Sequence, residues 1–543
     1  LPATTHGAER STADRNSTAG RIARNTAIFS LATAVSRVAG LAREIAASSY
    51  FATSAAFSAF TLANQIPNLV SNLFAQAALS AAFVPVFTEL LARGRQREAN
   101  ELASSLFWIM LLALGGITVF FVAAAGVLMP LIAGPKFNAA TTSLLVGLSR
   151  VLFPVVLILG LNGLLVGILQ SHDHFAIPAI SPAVWNLVIL AGLILMRPLF
   201  PGGFEHGNQL YAYALAVLIA TFVQLALAFG ALRRIRFKLV WRLNARDPRV
   251  RQVFMLMLPV TIGLGIVNLD QLINSVFGTL VSAEAPRAIE AAFRIYMLPQ
   301  GLFSVAVATV LFPTLSRMAA DRDPAAMRRA VATGMRQINL LLIPAAAFIL
   351  VLTTPIVRLL YQHGAFHAHS THLVSTALFW FGFSLPFAGL NLLLTRTFFA
   401  VQRPWIPTKL AAINIVVDIV VSVALYRPLG IAGLVIGTAA ANAVMAGLQL
   451  RRLRVGFNGT LEGRQTTMIT ARILVAAALG ALAAYALWAA LNALLGQGLF
   501  GGLVSVGTAL LGGGLLYARA VLAMRVPEAY RVRGLLRGRL LGR

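Results

Sequence analysis

Several arginines stand in stretches that are otherwise apolar. Arg37 and Arg43 lie in SRVAGLAREIAASSYF (36–51), where Glu44 follows Arg37 by seven residues and shares its helical face. Arg294 lies in AAFRIYMLPQ (291–300), Arg396 in TRTFFAVQRP (395–404) and Arg150 in GLSRVLFP. A charge inside an apolar span is costly and faces either a polar pathway or a partner charge. Two readings follow: an internal ion-pair network joining helices, or an anion site. The guanidinium suits the second because its planar fork donates two parallel hydrogen bonds.

A second group is neutral. In NQIPNLVSNLFAQAALSAAFVPVFTELL (64–91), Asn64, Asn68, Asn72 and Gln76 step by four along one side of a helix. Such amides serve either as interhelical hydrogen-bond glue, worth about 1 kcal/mol each, or as a polar lining. Pro67 and Pro85 interrupt the same run, and Pro299 holds the corresponding place in the second half. Each proline removes a backbone donor and favours a bend, which suits gating.

Acids within spans are few. Asp270 lies in VNLDQLINS and Asp418 in NIVVDIV; Asn414 precedes Asp418 by four, and Thr438 in IGTAAAN offers a hydroxyl. Two carboxylates, an amide and a hydroxyl form an oxygen set for Na⁺ or a proton site; the alternative is that either Asp pairs with an arginine. No cysteine is present, which excludes thiol chemistry and Cys-ligated metals. No GxxxxGK[ST] motif supports direct ATP drive. The run HGAFHAHSTH (363–372) is expected in an outer loop, solvated rather than metal-binding.

The elements that must position these groups are membrane helices. Of 543 residues, 58% are hydrophobic and only 11% charged, against about a quarter charged in soluble domains. Apolar segments predict 14 spans near 26–51, 57–91, 103–132, 141–170, 176–199, 209–232, 252–281, 286–317, 330–360, 370–401, 406–426, 429–450, 468–493 and 499–522. The net charge of +27 concentrates in RIAR (21–24), RGRQR (93–97), RRIRFK (233–238), WRLNARDPRVR (241–251), RRLR (451–454) and RVRGLLRGR (531–539). Segments on the other side carry about one cation each: Lys136, Arg197, Arg287, Arg358 and Arg427. This asymmetry places both termini in the cytoplasm and assigns the basic excess to anionic membrane lipids, not nucleic acid.

IPN (66–68) with FVP (83–85) is echoed by LPQ (298–300) with LFP (311–313), about 230 residues or six helices later. An even number of helices gives both copies the same orientation. The expected fold is therefore an all-α integral membrane protein with 14 transmembrane helices. Two six-helix lobes are related by a parallel pseudo-two-fold, with two extra C-terminal helices. The expected parts are a tail at 1–24, an N-lobe at 25–235, a C-lobe at 250–455, the extra helices at 466–523 and a basic tail at 524–543.

SRVAGLARE, AFTLANQIPNLVSNLFAQAALSAAFVPVFTE, AAFRIYMLPQGLFSVAVATVLFPTLSR, LLYQHGAF and LLTRTFFAVQRPWIPTK together resemble the MurJ (MviN) family of lipid II flippases, in the superfamily that also holds the MATE drug exporters. The resemblance covers about residues 25–455. It implies a V-shaped secondary transporter, not an enzyme, in the bacterial cytoplasmic (inner) membrane. Its substrate would be lipid II, the undecaprenyl-pyrophosphate-linked peptidoglycan precursor, moved from inner to outer leaflet by alternating access. Arg37, Arg43 and Arg294 match the family's headgroup arginines, and Asn68, Asn72, Gln76 and Arg396 would line the same cavity. Asp270, Asn414, Asp418 and Thr438 match a sodium site described for some members. The last two helices match a groove for the polyprenyl tail, and cell-wall synthesis proteins are the expected protein partners. The sequence departs from the family at Ser58, where an Asp is usual, and at Ser71-Asn72 and Gln76-Ala77, where charged residues are usual. The rivals are a flippase for another polyprenyl-linked glycolipid, a MATE-like exporter, and a transport-inactive scaffold for cell-wall synthesis.

Overall fold

The structure is a computed structural model that describes residues 32, 35–71, 78–172, 174, 176–200, 208–235, 237–321, 323–457 and 462–530, with backbone alone at 71, 78–82, 258–260 and 262–268. Every regular element among the described residues is helical. Contacts gather the chain into two compact units. The first holds the described residues up to Phe51, Ala59–Ala133 and Asn138–Asn268; the second holds Ala52–Ser58, Gly134–Phe137 and the described residues from Leu269 onward.

The first unit is built from α1 (35–51), α2 (Ala55–Ser71) beyond its first turn, α3 (Ala78–Ala92), α4 (Gln96–Ile132), α5 (Ala139–Leu152), α6 (Pro154–Ser171), α7 (Ala176–Met196), α8 (Gln209–Arg234) and the start of α9 (Pro248–Val281). Ala52 takes a positive φ of 50° in the turn after α1, and Ser54 Oγ then accepts from the Phe57 amide, capping the start of α2. Phe83, Phe87, Leu102, Leu106, Leu164 and Ile168 pack α3, α4 and α6 into one core. Small residues permit that approach: a Cβ at Gly160 would lie 2.2 Å from the Leu114 side chain.

At 37 residues α4 is about 55 Å long, well beyond the ~30 Å of a bilayer's hydrocarbon. Its first turns accordingly carry charge, with Glu101 paired to Arg97 and Arg242. The non-helical segment after α8 lies along it: Val240 donates to Ser104 Oγ (3.0 Å) and accepts from the Trp108 indole (3.1 Å). Farther along, α4 presents Val119, Phe120, Val127 and Leu131 outward, as a lipid-facing surface does.

The second unit comprises the end of α9, α10 (Ala285–Pro299), a π turn (Gln300–Ser304), α11 (Val305–Ala320), α12 (Pro324–Tyr361), α13 (Ala368–Ala400), α14 (Trp405–Leu429), α15 (Ile431–Gly456), α16 (Gly463–Leu495) and α17 (Leu499–Ala523). The π turn begins directly after Pro299, whose missing N–H leaves the preceding turn one bond short. Asp323 caps α12 by accepting from the Ala325 and Ala326 amides. That helix kinks at Leu352 (φ −109°, ψ 18°), three residues before Pro355. Gly430, at φ +57°, turns the chain between α14 and α15. The α16–α17 hairpin closes where Gly480 and Gly513 face each other; a Cβ at Gly513 would lie 2.6 Å from the Gly480 carbonyl.

Eleven helices among the described residues are long and apolar enough to cross a membrane, so the chain is a multi-pass membrane protein. They match eleven of the expected spans. The span expected at 57–91 is described as α2 and α3, with 72–77 outside the described residues; Asn72 and Gln76 fall there. The span expected at 252–281 is helical as α9, and 35–51 is the described part of the first.

Three sequence expectations need correction. Arg287, counted among the cations outside the membrane although the expected span 286–317 contains it, lies in the first turn of α10, only 3% exposed, with its guanidinium 4.0 Å over the Phe57 ring. Arg358 and Arg427, counted among the same cations, sit in the last turns of α12 and α14, where a cation complements the helix dipole. The histidine run is partly helical, since α13 starts at Ala368 and takes in His369 and His372.

Candidate functional site

In the first unit, Arg37 is exposed and Glu44 is buried, so their common helical face does not give them a common environment. Arg43 is half-buried with its guanidinium carbon 5.1 Å from the centre of the Trp185 ring on α7. Its Nε is buried and has no acceptor among the described residues. Asn186 fixes α7 against α1, donating to the Ser36 carbonyl (3.3 Å) and to the Pro182 carbonyl (3.0 Å). Asn64 and Asn68 on α2 are half-buried. Pro67 is buried within α2 and Pro85 exposed within α3; both helices continue through their prolines.

In the second unit, Arg294 meets an acid that the sequence reading did not weigh. Its guanidinium pairs with Glu290 one turn earlier at 2.6 Å, leaving Arg294 42% exposed. A spacing of four on one helix signals that pair. Arg396 is half-buried, 5.7 Å from the centre of the Phe312 ring. Ser58 is buried and accepts from the Arg287 amide at 3.3 Å.

The acids of the second unit form a cluster. Asp418 is 1% exposed, and its carboxyl adjoins that of Asp270. Asn274 ties the cluster together: its amide nitrogen lies 3.1 Å from Asp418 Oδ2, from Thr438 Oγ1 and from the Asp270 carbonyl. Ser422 and Thr438 donate to Asp418 Oδ1 at 3.3 and 3.4 Å. Asp270, Asp418 and Thr438 are thus brought together, whereas Asn414 is half-buried and makes no hydrogen bond within the cluster. Sequence reading passed over Asn274 and Ser422, although each stands four residues after one of the acids and so faces the same way. The polar chain continues through Asn442, which donates to the Thr438 carbonyl (3.1 Å) and to Ser384 (3.0 Å).

This oxygen-rich set fits a small hard cation. Asp270 Oδ1 is buried with no partner, and no Lys, Arg or His is bonded to either carboxylate among the described residues. Two adjoining carboxyl groups in a low-dielectric site call for a compensating positive charge. The packing is also tight: a Cβ at Gly437 would lie 2.2 Å from Ser422 Oγ and 2.8 Å from Asp418 Oδ1.

The helical architecture is a MATE-like fold. It is similar to an inward-facing multidrug resistance MATE family transporter, with a TM-score of 0.65 and 14% identity over 78% of this chain and 94% of that one. Similarity is greater to a structure of lipid II flippase MurJ in an inward closed conformation, with a TM-score of 0.73 and 21% identity over 91% of this chain and 97% of that one.

Residues 47–504 match the family model described as lipid II flippase MurJ. Among curated relatives, a probable lipid II flippase MurJ of Rhizobium meliloti is 31% identical over 84% of each chain. One of Treponema pallidum is 29% identical over 77% of this chain and 79% of its own. The chain belongs to the MurJ family of lipid II flippases.

Proposed function

We propose that this protein carries undecaprenyl-pyrophosphate-linked lipid II from the inner to the outer leaflet by alternating access, with both termini in the cytoplasm. The observation that carries the reading is the family match over residues 47–504. Arg43 supports it: a guanidinium with a buried, unsatisfied Nε inside an apolar unit is poised to donate to an anionic oxygen. Arg294 holds its charge in reserve, exchanging Glu290 for a pyrophosphate oxygen when substrate arrives. Asn68 and Arg396 add neutral and cationic contacts, and the π turn after Pro299 supplies a compliant joint. The full proposed architecture is 14 helices in two six-helix lobes, with α16 and α17 receiving the polyprenyl tail.

Asp270, Asp418 and Thr438, with Asn274 and Ser422, would hold Na⁺ or a proton. A bound cation supplies the charge that the two carboxylates lack, and Asn274 and Ser422 orient the oxygens toward it. The membrane potential is sufficient to bias such a carrier, being worth about 2.3 kcal/mol per charge per 100 mV.

The test is rescue of cells depleted of their lipid II flippase, followed by an assay of lipid II in the outer leaflet. Rescue with outer-leaflet lipid II is expected. Rescue without a rise in outer-leaflet lipid II would support the scaffold reading instead. Failure to rescue at normal protein levels, with transfer of another polyprenyl-linked glycolipid, would move the assignment to that substrate.

A further inference from the structure

A separate site lies where α12 ends beside the α16–α17 turn. Arg358, Gln362, Trp488, Asn492 and Gln497 line a cavity of about 120 Å³, and no Asp or Glu is among its lining residues. Arg358 Nε is buried with no acceptor among the described residues. Gln362 spends its oxygen on the Thr371 hydroxyl (2.9 Å), which leaves its amide hydrogens for the cavity. Gly498 begins α17 without a side-chain cap, and no backbone acceptor serves the amides of Leu499, Phe500 and Gly501 among the described residues. Donor-bearing side chains of α12, of α16 and of the turn after it therefore line this space, with no carboxylate among them.

We propose that this cavity binds a phosphate oxyanion. Arg358 supplies the fork that matches two phosphate oxygens, the side-chain amides and the Trp488 N–H supply neutral donors, and the start of α17 adds its partial positive charge. Leu494, Leu495, Leu499, Phe500 and Leu503 are all exposed around it, and an apolar rim suits a phosphate that carries acyl chains. The site shares α16 and α17 with the groove proposed for the polyprenyl tail but uses none of the side chains assigned to the headgroup or to the cation, and the titration below needs no lipid II, so the two readings fail separately.

The experiment uses the full-length protein in detergent and follows intrinsic tryptophan fluorescence. Titrants are inorganic phosphate, sodium chloride at matched ionic strength, dihexanoylphosphatidic acid and dihexanoylglycerol. A saturable change is expected with the phosphate-bearing titrants and not with chloride or the diacylglycerol, and it should vanish in Trp488→Phe. A response to inorganic phosphate assigns a soluble oxyanion, and a response to phosphatidic acid alone assigns a lipid headgroup. Arg358→Gln should weaken binding at least tenfold at an unchanged melting temperature, with Arg358→Lys in between. If Arg358→Gln does not fold, Asn492→Leu at the cavity wall should give a smaller loss of the same kind. The proposal is overturned if the wild-type protein shows no saturable response, or if folded Arg358→Gln titrates like wild type.

Discussion

Asn274 on α9 donates to Asp418 on α14 across 3.1 Å, joining two helices 144 residues apart in sequence through one amide hydrogen bond. The same nitrogen reaches Thr438 on α15, so one side chain organises the oxygens of three helices. Cation binding should therefore depend on this amide as well as on the acids. Thermal unfolding measured in NaCl and in choline chloride should show a sodium-dependent gain in the wild type. A ligand at a hundredfold excess over its Kd stabilises by about 2.7 kcal/mol. Asp418→Asn should abolish the gain and Asn274→Leu should reduce it. A sodium response unchanged in both variants would remove the cation assignment.

Gly437 tests the same cluster by steric means. Its Cβ would collide with Ser422 Oγ and crowd Asp418 Oδ1, and overpacking a tight site costs about 1–3 kcal/mol. Gly437→Ala should lower the melting temperature and erase the sodium response together. Gly447, which has open space around it, is the control: Gly447→Ala should do neither.

The roles of Arg43 and Arg294 separate by their partners. Arg43→Ala should abolish rescue of flippase-depleted cells at a normal protein level, because it removes the proposed anion donor while giving up only the contact with the Trp185 ring. The Glu290–Arg294 pair is partly exposed, and i,i+4 helix pairs of that kind stabilise by only about 0.3–0.5 kcal/mol. Glu290→Gln should therefore leave folding intact and preserve rescue, while Arg294→Ala loses it. Equal loss in both variants would mean that transport needs the ion pair itself and not the Arg294 guanidinium alone.

Asp247 sets an acid limit on the first unit. Its hydrogen bond from Arg249 holds its pKa below the usual 3.8, and Arg249 also reaches Glu98 on α4 at 2.6 Å. A carboxylate with a depressed folded pKa contributes stability that is present above the unfolded pKa and lost as pH falls through the folded one. Melting temperature should thus decline below about pH 4, the ordinary carboxylate range. Asp247→Asn should lower it at pH 7 and flatten that decline. A wild-type acid profile in the variant would show that the contact contributes nothing.

Arg336 anchors the C-terminal hairpin. It is 5% exposed, bonds Glu528 through Nε at 2.6 Å and Glu462 through Nη1 at 2.9 Å, and so joins α12 to both ends of the α16–α17 hairpin. Removing one partner of a buried ion pair costs about 3–5 kcal/mol because the other charge is stranded. Arg336→Met should lower the melting temperature sharply. Adding Glu528→Gln to it should recover part of the loss, which differential scanning fluorimetry would detect.

The sequence alone determined the class of protein and its unusual residues. Spans of apolar residues have no stable alternative to membrane helices, because backbone groups in lipid must be satisfied within the segment. An arginine or aspartate inside such a span is conspicuous for the same reason, and Arg43, Asp270 and Asp418 were legible on that ground. Partnership was a different matter. That Asp418 meets Asn274 and Thr438, that Arg287 turns inward over Phe57, and that Arg336 gathers Glu462 and Glu528 from more than 120 residues away are decided by how the helices pack. Periodicity gives the face a residue occupies on its own helix. It carries no information on which helix lies opposite or at what depth, and hydrogen bonds and ion pairs are made across that gap.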